Sequence, residues 1–160
     1  MTIEHSDLAI IEEIAIAERE HVAEMRRLYG KLAAPIDSLK LGASKPSLRP
    51  YILRTVMSLS VNDREQLFEF LIELSTITHS DLDLCKNIIK TLPRGWVDNN
   101  IIRALGLVPL NEETARRGAE LLYDLRSSKL QIFLEKLSEQ DDPEILEVRD
   151  DFQNRLDGLN

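Results

Sequence analysis

A chain of 160 residues with 43% hydrophobic side chains carries enough material for one or two packed domains, and 26 Leu and 15 Ile against 6 Val favour helices over strands. Six Gly and six Pro exclude collagen-like and low-complexity chains, and a single cysteine, Cys85, excludes a disulfide framework. The net charge of −8 argues against a duplex-DNA or RNA binder, which needs a basic face for phosphates.

The first periodic segment is the longest. Leu8, Ile11, Ala15, Val22, Met25, Tyr29 and Leu32 recur at steps of three and four, and Glu18 interrupts the seam. Ser6 can cap this helix ahead of Asp7, and Gly30 or Pro35 ends it, for a length of about 25 residues or about 38 Å. Ile10, Ile14 and Leu28 widen the stripe, so packing on the body of the protein or on a partner's helix is expected rather than an exposed two-stranded coil. Residues 35–50, punctuated by Gly42, Ser44, Lys45, Pro46, Ser47 and Pro50, read as a connector with room only for short helical turns.

Short helical units follow, each with a cap and an apolar face. Ser47 caps a helix with Pro50 in its first turn and Ile52, Val56 and Leu59 inward. Asn62 and Glu65 resemble a capping box before Leu67, Phe70, Leu71, Leu74 and Ile77. Ser80 precedes Leu82, Cys85, Ile89 and Leu92, and the breaker Pro93-Arg94-Gly95 precedes Val97, Ile101, Ile102 and Leu105. Asn111 opens a helix with Ala115, Ala119, Leu122 and Leu125, and Ser127 or Ser128 one with Leu130, Phe133, Leu134 and Leu137. Asp142 with Pro143 opens the last, with Ile145, Val148, Phe152 and Leu156. The mean step between starts is about 16 residues, or about 32 per helix pair, in the range of solenoid repeats. The expected fold is all-α: antiparallel helical hairpins in series, as an α-solenoid or an irregular bundle, preceded by one long amphipathic helix. The segments are 1–34, that helix; 35–47, the connector; and 48–160, the repeat-like domain.

From Leu130 to Leu159 the chain resembles one HEAT/armadillo-type unit. An apolar helix is followed by the turn Asp141-Asp142-Pro143-Glu144 and then by a second helix with Val148-Arg149, a pair that comes later than the family's pattern. Asp98 to Leu105 echoes the second helix. The resemblance implies an α-solenoid scaffold that binds partners on a concave face and has no chemistry of its own.

Composition and motifs point the same way. Glu18 and His21 have the Glu-x-x-His spacing of di-iron bundles, but a second such pair is missing and neither His5 nor His79 has a Glu three residues earlier. Cys85 lies on an apolar stripe, where a small buried hydrophobe is the default, and no phosphate-binding glycine loop exists. Trp96 and Arg94, in the turn Pro93-Arg94-Gly95-Trp96, are of the residue types enriched at binding hot spots, although a lone Trp also plugs helix junctions. Arg94, Trp96 and Arg103 are therefore the candidate partner-binding residues. Arg103, Arg116 and Arg117 could line an anion-attracting face, with salt bridges to Glu112, Glu113 or Glu120 as the plainer reading.

The expected function is a non-catalytic protein-interaction module or scaffold for a protein or peptide, with a homodimer through the first helix as a further option. Two other readings stand beside it: a small helical enzyme or metal-binding bundle using Glu18 and His21, and an acidic inhibitor or immunity-type protein. No cofactor, nucleic acid or membrane is expected. Met1 to Ile14 lacks the basic start of a secretory signal, and no apolar run approaches the about 20 residues of a membrane span, so a cytoplasmic location is expected.

Overall fold

The computed structural model describes residues 5–77 and 79–158, with side chains described from residue 8 onward. It is all-helical: ten α-helices and no strand among the described residues. Among those residues no helix is long and apolar enough to cross a membrane. The chain groups into two compact units, Met1–Ser60 and Val61–Asn160.

The first unit holds α1 (His5–Tyr29), α2 (Pro35–Ala43) and α3 (Arg49–Met57). The side chains of Ser6 and Asp7, the expected cap and first-turn acid of α1, lie outside the described residues. The stretch 35–43, expected to connect, is a helix of nine residues. Pro35 stands in its first turn, where a missing N–H is no loss, and Leu39 and Ala43, one turn apart, are buried. Gly42 permits the close approach of α3, since a Cβ there would come within 3.1 Å of the Ile52 side chain. The same hairpin is fastened by Arg49, 9% exposed, whose Nε donates to the Ala43 carbonyl at 2.8 Å. That bond satisfies a carbonyl that the end of α2 would otherwise leave open.

The second unit comprises α4 (Val61–Gln66), α5 (Phe68–Ser75), α6 (Leu82–Lys90), α7 (Arg94–Leu105), α8 (Glu112–Asp124), α9 (Leu130–Leu137) and α10 (Pro143–Asp157). The helix expected from Asn62 to Ile77 is broken at Leu67 into α4 and α5, and Ile77 is 39% exposed rather than inward. α5 packs against α6, α7 and α8; α8 packs against α9 and α10, which also meet each other. Phe68 and Ile72 of α5, Ile88 of α6, Leu122 of α8 and Phe152 of α10 are essentially inaccessible. Gly118 lets α8 approach its neighbours, because a Cβ there would meet Phe133 at 3.0 Å and Leu105 at 3.2 Å. The small residues beside it, Ala115 and Ala119, are fully buried.

The helix ends are built from local chemistry. Asn111 Oδ1 accepts the Thr114 N–H at 2.9 Å while Thr114 Oγ1 accepts the Asn111 N–H at 2.9 Å, a reciprocal cap. Asp142 accepts the Glu144 N–H at 2.9 Å, with Pro143 in the first turn. At the end of α8, Arg126 N–H bonds Tyr123 O and Ser127 N–H bonds Leu122 O, both at 2.9 Å, the Schellman pattern. Its left-handed position, normally glycine, is held by Arg126 at φ 49°.

Two stability changes follow. Arg126→Gly relieves a strained backbone and is expected to stabilise the second unit by about 1 kcal/mol. Arg49→Leu leaves the Ala43 carbonyl without its charged donor and is expected to destabilise the first unit by about 2 kcal/mol. Urea unfolding followed by far-UV circular dichroism reads both.

Candidate functional site

Arg94, Trp96 and Arg103 all lie on α7, but they do not form one cluster. A step of seven residues returns almost to the same side of a helix, so Trp96 and Arg103 share the side facing α5 while Arg94 turns away. The Trp96 ring is half-buried and meets the buried Phe68 ring edge to face, with centroids 5.0 Å apart and planes at 77°. Two turns on, the Arg103 guanidinium pairs with Glu69 at 3.0 Å, with both side chains largely in solvent. The exposed part of this side is the free edge of Trp96, Asn99 and Arg103, and the Asn100 amide bonds the Trp96 carbonyl beneath it at 2.8 Å.

Arg94 has a structural task. Its guanidinium donates to the Arg126 carbonyl at 2.7 Å, and one turn along α7 Asp98 accepts from the Ser127 hydroxyl. The two side chains strap the turn between α8 and α9 onto α7. Beside them lies a hollow of about 180 Å³ lined by Leu92, Arg94, Val97 and Asp124 among others. Arg116 and Arg117 do not offer a free anion site. Arg116 bonds Glu112 at 2.8 Å and Asp151 at 3.1 Å, which raises its pKa above the ordinary arginine value, and Arg117 bonds Glu120 at 2.8 Å.

The more conspicuous surface lies in the first unit. None of the described side chains of α1 is buried; Leu8, Ile10, Ile11 and Ile14 are 47%, 56%, 55% and 63% exposed. Ala15, Val22, Met25 and Tyr29, the later part of the seam, are half-buried. Arg26 donates to the Ser58 carbonyl at 3.2 Å, and between α1 and α3 runs an open groove of about 510 Å³. Val22, Met25, Tyr51 and Met57 supply its apolar lining, and His21 and Arg54 are on its walls. Near the end of α1, Arg27 grips Glu24 through Nε, at 2.7 Å, and through Nη2, and holds that carboxyl below the usual carboxylate range.

Glu18 and His21 stand exposed on the wall of this groove. No group of three or more His, Cys, Asp or Glu side chains capable of holding a metal occurs among the described residues. Cys85 is inaccessible within the α6 stripe. The α3 half of the groove was missed in the sequence, where only Ile52, Val56 and Leu59 were assigned to a face. The available signal was Tyr51 and Met57, apolar residues off that inward stripe, which are 64% and 36% exposed.

No family model, no curated protein and no solved structure matches this chain.

Removing Trp96 tests how far its ring is a packing element. Trp96→Ala is expected to destabilise the second unit by about 2 kcal/mol, less than a fully buried aromatic because part of the ring is in solvent. Arg103→Ala is expected to stay within about 0.5 kcal/mol of the native chain. Thermal unfolding of the two variants provides the comparison.

Proposed function

We propose that this chain is a non-catalytic protein-interaction module, in which helical hairpins of HEAT-like character form a scaffold and α1 is the contact element for a protein or peptide partner. The observation that carries the reading is the unburied apolar stripe of α1. Burying a large aliphatic side chain contributes about 1.5–3 kcal/mol, and four such side chains in the first half of α1 keep about half or more of their surface in water. Contiguous exposed apolar surface of this kind marks contact sites. The recognition mode is a helix face presented to a complementary groove or helix, with Leu8, Ile11 and Ile14 as anchors one turn apart. The Trp96–Arg103 side of α7 is a second, smaller contact in this reading, combining a rigid aromatic edge with a guanidinium.

The test is affinity capture with the full-length chain as bait, beside its Ile11→Glu/Ile14→Glu variant. Specific capture by the native chain and its loss in the variant are expected, with the far-UV circular dichroism spectrum unchanged, since neither side chain belongs to a core. A variant that unfolds, or that captures the same partner equally well, contradicts the assignment of α1 as the contact element.

A further inference from the structure

We propose that the occupant of the α1 face is a second copy of this chain, paired antiparallel, with the first half of each α1 seated in the α1–α3 groove of its partner. The proposal rests on the reading of α1 as a contact element and names its partner. Three observations select this occupant and this orientation.

The first is charge. Residues 7–18 contain four acids and no Lys or Arg, whereas residues 19–31 contain four Lys or Arg and two acids. Parallel helices set acidic half against acidic half. Antiparallel helices set each acidic half against the basic half of the other copy, the arrangement that complementary potentials favour.

The second is the pair of defects in the seam. Between Leu8 and Tyr29 the heptad positions are apolar except Glu18, and the smallest of them is Ala15. In a parallel pair Glu18 meets its own copy, two carboxylates at one apolar layer. In an antiparallel pair with Leu8 opposite Met25 and Ile11 opposite Val22, Glu18 falls opposite Ala15. The small side chain leaves the carboxylate a way out to solvent. The same register sets Glu12 beside Arg19 on the flank of the pair, once on each side of the two-fold axis.

The third is that the groove and the exposed segment of α1 are both apolar. The groove is open and apolar where Val22, Met25, Tyr51 and Met57 line it, and the first half of α1 carries an apolar segment whose large side chains are about half or more exposed among the described residues. A two-fold axis makes each copy both donor and receiver, so the contact is closed and counted twice. The overlapping helices, residues 8–25, run about 27 Å, long enough with the two grooves for an interface of standard size.

Sedimentation equilibrium of the full chain tests the proposal. The native chain is expected to be a dimer and Ile11→Glu/Ile14→Glu a monomer with an unchanged circular dichroism spectrum. Glu12→Lys and Arg19→Glu, both at exposed positions that leave the fold intact, are each expected to raise the dimer Kd about tenfold. The double variant Glu12→Lys/Arg19→Glu, which restores opposite charges only in the antiparallel register, is expected to recover the native value. A native chain that is monomeric at every concentration overturns the proposal, as does a dimer that survives Ile11→Glu/Ile14→Glu. A double variant no tighter than the single ones overturns the antiparallel register. A monomeric native chain that still captures a different protein through Ile11 and Ile14 removes the second copy and leaves the interaction reading standing. A monomeric chain that captures nothing removes both.

Discussion

A helix of three turns in water is marginal, and what keeps it folded is the burial of its apolar stripe against another stripe. That constraint organises the second unit. α5 and α8 carry the stripes that several neighbours share: Phe68, Leu71 and Ile72 are inaccessible among α6, α7 and α8, and Ala115, Ala119 and Leu122 among α9, α10 and α5. Close approach requires small side chains at the crossings, and Gly118 provides one of them, where even a methyl group would press on Phe133. The polar groups that such packing strands are met locally, by the reciprocal cap at Asn111 and the strap from Arg94 to the end of α8.

The first unit meets the same constraint only in part. α2 and α3 bury Leu39, Ala43, Leu53 and Val56 against each other and close their ends through Arg49. The later seam of α1 is half-buried beside α3, whereas Leu8, Ile11 and Ile14 in its first half stay about half or more exposed among the described residues. Surface that does not pay into the fold is surface available to a contact, and its acid-to-base gradient supplies the direction in which a like helix lies against it.

Much of this was legible in the sequence because it is local. The stripe of α1 follows from steps of three and four, and Asn111 and the Asp142-Pro143 pair announce their helices through chemistry completed within three residues. Cys85 on the face of Leu82 and Ile89 was readable as core for the same reason. What escaped was set by distant partners. Gly42 and Pro35 read as breakers, yet Pro35 fits a first turn and Gly42 admits Ile52 of the next helix, so residues 35–43 are helical. The left-handed Arg126 has no sequence signature, since that position normally takes glycine. Of the candidate residues, Arg94 was recognisable as a polar group near a turn, but its acceptor lies 32 residues away. Trp96 and Arg103 share a side of α7 through their spacing of seven, whereas Phe68 and Glu69 beneath them belong to a helix that the sequence did not pair with it.

The central claim is that the first half of α1 is contact surface and contributes little to the fold. Amide hydrogen exchange of the full-length chain, followed across a dilution series, tests it most directly. The expected result is strong, concentration-independent protection in α5 and α8, with protection of residues 8–17 that appears at high concentration and fades on dilution. Protection of residues 8–17 that equals that of α5 and persists unchanged in dilute solution would contradict it.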